Sequence, residues 1–127
     1  MSHEEIKKFR QKANGFLDTA VYNYNQGRND IAAFCVEQSV QLYIKTKLLE
    51  MVGEFPRTHN IVLLMKELGA VFKKGKIDNF IQQQIGILTK LSDVYITSRY
   101  YTRDFFKEEL DELIDFVEKI KEMLEYD

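Results

Sequence analysis

Three side chains in this 127-residue sequence pair donor or cationic chemistry with a place on an apolar stripe or at a helix mouth: Lys45, His59 and Arg99. Ile31, Cys35, Leu42 and Leu49 recur at steps that a helix stacks within about 40° of one another, at about 100° per residue, and Gln38 and Lys45 fall beside them. An unpaired ammonium on such a face is costly, so Lys45 snorkels, pairs with an acid such as Glu50, or lines a wet cleft together with Gln38. Arg99 extends the stripe of Ile77, Ile81, Leu88 and Tyr95, on which Gln84 also falls. It either meets free carbonyls at a helix end or presents a planar fork to a phosphate. Tyr95, Tyr100 and Tyr101 place rings beside it, for packing or for stacking on a base. His59 follows Pro56-Arg57-Thr58 at the mouth of a helix, where free amides favour anions; with Arg57 it makes an anion site, or else a simple exposed or capping residue.

The elements that must position these residues are helical. One proline and six glycines leave little turn chemistry for an all-β chain. Ile6, Phe9, Ala13, Phe16, Leu17, Ala20, Val21 and Tyr24 predict a first helix over about 4–26, ended by Gly27. A second helix, capped by Asn29 or Asp30, runs to about Val52 before Gly53 and is apolar over most of its girth, as the central helix of a bundle is. Pro56 and Thr58 introduce a shorter third helix with Ile61, Leu64, Met65, Leu68 and Phe72. Lys73-Lys74-Gly75-Lys76 reads as a solvated loop, and a fourth helix follows over about 77–98 with Ile77, Phe80, Ile81, Ile85, Leu88, Leu91 and Tyr95. After a break capped by Thr102 or Asp104, Phe106, Leu110, Leu113, Val117, Ile120 and Leu124 form the narrow seam of a last helix. The expectation is an all-α fold in one domain over 1–127: a mainly antiparallel four-helix bundle with an additional short helix, five helices in total.

Composition narrows the function classes. Eighteen Lys and Arg against 20 Asp and Glu give a formal net charge of −2, which argues against a wholesale polyanion binder. The charge is segregated: residues 103–127 hold 10 acidic and 4 basic residues, net −6, and the remainder carries +4. The acidic last helix is a solvated face or a dock for a basic surface. A single Cys35 and two histidines exclude a disulfide framework and leave too few soft ligands for a closed zinc site, so no metal and no cofactor are expected. The longest apolar run, Ile31 to Val36, is far short of a membrane span, and residues 1–10 begin polar. A soluble, unprocessed cytoplasmic domain is expected, with no membrane partner.

Three segments resemble those of one family. Asn29-Asp30-Ile31-Ala32-Ala33-Phe34-Cys35-Val36-Glu37-Gln38, continuing to Lys45, is similar to the second-helix signature of HEPN domains, in which an aromatic, a glutamine and a lysine occur in this order. Phe55-Pro56-Arg57-Thr58-His59-Asn60-Ile61 resembles the family's threonine–histidine turn into its third helix. Ser98-Arg99-Tyr100 resembles its arginine–tyrosine element, although Tyr101 stands where a proline normally follows. The likeness covers about residues 5–124 and is to the prokaryotic stand-alone type. It implies a helical bundle, commonly a homodimer, associated with nucleotides or RNA. Many such members work with a minimal nucleotidyltransferase as a toxin–antitoxin or substrate-binding module.

Other HEPN proteins are metal-independent ribonucleases that carry an arginine, four to six residues, then a histidine. None of Arg10, Arg28, Arg57, Arg99 and Arg103 is followed by a histidine at that spacing, and His3 lies near the chain start, so His59 is left as the one imidazole for acid–base work. The expected function is therefore non-catalytic nucleotide or partner binding. Lys45, His59 and Arg99 would supply charge or donors to phosphates, Gln38 would orient the ligand, and Tyr95 or Tyr100 would give an aromatic face. The alternatives are a ribonuclease that brings Arg99 and His59 together in space, or a purely structural interaction or dimerisation module.

Overall fold

The computed structural model describes residues 1–100 and 103–126. They form six α-helices and, among the described residues, no strand: α1 (His3–Asn25), α2 (Asn29–Val52), α3 (Ile61–Gly69), α4 (Lys74–Gln83), α5 (Ile85–Tyr100) and α6 (Lys107–Met123). Ser2 caps α1, its hydroxyl accepting from the Glu5 amide at 3.2 Å while the Glu5 carboxylate takes the Ser2 amide in return. Gly27 (φ 77°) and Gly53 (φ 80°) adopt the left-handed backbone that ends α1 and α2 where the sequence places them.

α2 is the central helix. It forms a hairpin with α1 and also packs against α3, α5 and α6. Fourteen of its residues are buried, from Ala32 to Leu49, and Val36, Val40, Tyr43, Ile44 and Leu48 among them share one core with Leu17, Leu64, Leu88, Leu113 and Phe116. On α6, Leu110, Leu113, Val117 and Ile120 are fully buried, and Leu124 beyond its end is buried with them, as the seam predicts.

Several details differ from the sequence expectation. The predicted helix over 77–98 is two helices, so the count is six rather than five. It starts earlier, and Lys74, Gly75 and Lys76 are its first turn rather than a loop. Lys73 precedes it in the left-handed region (φ 45°) and is ion-paired to Glu125, itself at φ 64°, which ties the start of α4 to the end of α6. The break falls at Gln84 (φ −110°, ψ 18°) because the two halves have different neighbours: α4 packs chiefly on α3, whereas α5 packs on α2. Amide bonds still bridge it, from Gln84 to the Phe80 carbonyl and from Leu88 to the Gln84 carbonyl, both at 2.9 Å. Ile85, expected on the buried stripe, is left 50% exposed.

Caps differ as well. Arg28 occupies the N-cap of α2 without a side-chain bond, and Asn29 instead donates from Nδ2 to the Phe105 carbonyl at 2.9 Å. Asn60 caps α3, accepting from the Leu63 amide at 3.1 Å. Phe106, not Asp104, is the N-cap of α6; its ring is 74% exposed, its amide donates to Glu109, and Phe105 takes the buried place expected for it. Thr102, the other expected cap, and Tyr101 lie outside the described residues.

Candidate functional site

One side of α2, the turn before α3 and the last turns of α5 enclose a cleft of about 450 Å³. Gln38, Gln41 and Lys45 come to it from α2, Phe55, Arg57, Thr58 and His59 from the turn, and Tyr95 and Arg99 from α5. Tertiary packing thus brings together five of the residues singled out by sequence: Gln38, Lys45, His59, Tyr95 and Arg99. Tyr100 is not among the lining residues; it stands 73% exposed at the end of α5.

The aromatic contacts organise the cleft. The His59 ring stacks on Tyr95 with centroids 3.9 Å apart, and the Arg99 guanidinium lies 4.4 Å from the same Tyr95 centroid. Tyr95 therefore holds the histidine and the arginine in one place through its π-system. Across the cleft, the Lys45 ammonium sits 5.2 Å from the Phe55 ring centroid. Thr58 shapes the turn by accepting from the Asn60 amide at 3.1 Å, which leaves His59 exposed just before α3.

The ion pair considered between Lys45 and Glu50 does not form. Glu50 instead pairs with Lys47 at 3.3 Å and accepts from the Tyr126 hydroxyl at 2.9 Å. Among the described residues, Lys45, Arg57 and Arg99 make no ion pair, so three cationic side chains line one cleft without a carboxylate in contact. Burial pushes the Lys45 ammonium below its usual range, with Glu37 opposing that shift.

Glu37 is the residue that stripe reasoning missed. It is fully buried behind the cleft, one position from Gln38, and its carboxylate accepts from Gln38 Nε2 at 2.8 Å and from Gln41 Nε2 at 2.6 Å. Burial raises its pKa from the usual 4.5 to about 7, against the two amide bonds and the positive charges of Lys45 and Arg99. Gln38 consequently spends its amide donor on Glu37. A sequence signal existed: Glu37 and Gln41 stand one helical turn apart on a helix that is otherwise apolar nearly all round.

Chemically, the cleft offers three cations and an imidazole beside the half-buried rings of Phe55 and Tyr95. Forked and point cations beside aromatic rings match a phosphate ester that carries a planar group. Among the described residues, no group of three or more His, Cys, Asp or Glu side chains is placed to hold a metal ion, and no helix is long and apolar enough to cross a membrane.

The fold and the cleft define a class: an all-α domain built round one central helix, with a cationic and aromatic cleft along that helix. The chain belongs to the HEPN domain family, whose model matches residues 6–126, essentially the whole sequence. A search of curated proteins finds no match.

Proposed function

We propose that this chain is a non-catalytic, nucleotide-binding HEPN protein of the cytoplasm, homodimeric and acting with a minimal nucleotidyltransferase in a toxin–antitoxin or substrate-binding module. The observation that carries the ligand part is the convergence of Lys45, Arg57 and Arg99 in one cleft with no ion pair among the described residues, beside the His59–Tyr95 stack. Lys45 is the half-buried cation of the three, and the exposed Arg57 and Arg99 bring forked donors to the same cleft for phosphate oxygens. The non-catalytic part is supported by the missing arginine-to-histidine spacing. The acidic residues of α6 offer a partner surface of opposite sign to a basic one.

Isothermal titration with ATP, GTP and inorganic triphosphate tests the site. All three bind, and the Lys45→Ala, Arg99→Ala double variant weakens each by roughly a hundredfold or more, since each charge-assisted contact contributes about 1.5–3 kcal/mol. Binding unchanged in that variant overturns the assignment. Light scattering and co-purification with a nucleotidyltransferase encoded beside the gene test the rest; a strict monomer with no such neighbour removes the module.

One observation favours a second reading. Arg99 and His59, lacking the ribonuclease spacing in sequence, are nevertheless gathered on Tyr95, with the buried Glu37 carboxyl behind them. A ribonuclease with His59 as proton-transfer group is compatible with that geometry. Incubation with labelled RNA, with and without EDTA, decides it: cleavage lost in His59→Ala establishes the enzyme, and no cleavage above that variant ends the reading.

A further inference from the structure

A second cavity, of about 310 Å³, adjoins the cleft and shares Arg99 with it. That volume is at the small end of the roughly 300–1,000 Å³ typical of ligand pockets. Its walls are Ile31 and Phe34 from the first turns of α2 and Phe105 from the segment entering α6. Ile31 is left 45% exposed although it begins the most buried helix of the fold. Arg103 also borders the slot but is engaged, donating to Glu109 at 3.0 Å and lying 4.2 Å from the Phe105 ring centroid. At the rim, the Asp30 carboxylate has no ion pair or side-chain hydrogen bond among the described residues.

We infer that this slot receives the base of a nucleotide whose phosphates lie among Lys45, Arg57 and Arg99, and that Asp30 selects guanine. The inference rests on the phosphate-binding reading of the cleft. The slot is apolar along Ile31, Phe34 and Phe105 and has Asp30 as its acidic lining residue, the cleft is cationic, and Arg99 lines both. Arg103 is spent on Glu109, and Asp30 disfavours phosphate in its immediate neighbourhood. The two acceptor oxygens of Asp30 match the adjacent N1–H and N2–H donors of guanine. Adenine presents one donor beside a ring-nitrogen acceptor, which would face the carboxylate lone pairs unpaired.

Titration of the full chain with GTP, ATP, inorganic triphosphate and guanosine tests this. GTP binds about tenfold or more tightly than ATP, as expected where a bidentate contact to the carboxylate is open to only one of the two bases. Asp30→Asn brings the two nucleotides within about threefold of each other, and Ile31→Ala weakens GTP severalfold; neither changes the affinity for triphosphate. Both positions are exposed, so the variants keep the core, and triphosphate binding reports that the fold is intact. Equal affinity for GTP and ATP in the unaltered chain overturns the role of Asp30. GTP no tighter than triphosphate, with triphosphate still dependent on Arg99, overturns the slot while leaving the phosphate cleft standing. Failure of triphosphate to bind, or binding indifferent to Arg99→Ala, overturns the cleft reading and this inference with it.

Discussion

His59 and Tyr95 stack face to face, with ring centroids 3.9 Å apart and planes inclined by 26°, so the turn before α3 is joined to α5 by an aromatic pair at the cleft. The same Tyr95 ring carries Arg99, which makes Tyr95 the support on which two of the proposed phosphate-binding groups depend. Tyr95→Ala should weaken triphosphate and nucleotide binding by about tenfold, roughly 1.4 kcal/mol, whereas Tyr95→Phe, which keeps the ring, should stay within about twofold of the parent. Calorimetric titration reads both; equal losses in the two variants would contradict support through the ring.

Glu37 makes stability depend on pH in an identifiable window. Its pKa is raised from 4.5 to about 7 by burial, so the folded state binds the proton more tightly than the unfolded chain does, and stability falls as pH rises between those values. The loss amounts to about 3 kcal/mol once the pH exceeds 7, at about 1.4 kcal/mol per pH unit. Glu5, Glu109 and Glu125 have carboxyls held below 4.5, so their contributions change at lower pH and stay out of this window. Thermal melts at pH 5 and pH 8 should show the parent losing several degrees more than Glu37→Gln; parallel losses would refute the assignment.

Tyr126 fastens the end of the chain to the central helix. It is 6% exposed, donates to Glu50 at 2.9 Å, and its ring lies 4.3 Å from the Arg10 guanidinium, 4.8 Å from the Lys47 ammonium and 5.9 Å from the Tyr43 ring. Urea unfolding should place Tyr126→Ala about 3 kcal/mol below the parent and Tyr126→Phe about 1 kcal/mol below it. Tyr22→Ala, at a 59% exposed position, should differ by less than about 0.5 kcal/mol.

Asn29 couples the start of α2 to the segment that walls the proposed base slot. Removing its 2.9 Å bond to the Phe105 carbonyl in Asn29→Ala should cost about 1 kcal/mol of stability. Hydrogen exchange should quicken first at the start of α6 rather than in the core of α2. Exchange unaltered there would mean that the bond does not hold the segment.

The sequence by itself determined the helical class, the boundaries of α1 and α2, the apolar seam of α6 and the family. The reason is local: Gly27 and Gly53 stop helices through backbone geometry, and the spacing of Leu110, Leu113, Val117 and Ile120 defines a buried face whatever lies opposite. It also marked Gln38, Lys45, His59, Tyr95 and Arg99, because polar groups interrupting apolar stripes are visible in one dimension. Only the tertiary structure decided what they do with one another. The break at Gln84 arises because α4 and α5 lean on different helices, and no local residue preference encodes the identity of a neighbour. Lys45 remains without an ion pair among the described residues: Glu50, five positions on and so about 140° round the helix, meets Lys47 and also Tyr126, which is 76 residues away along the chain. Glu37 owes its raised pKa to burial, a property of the assembled bundle and not of its spacing. Periodicity names the residues of a site, but their charges and contacts are set by packing across the chain.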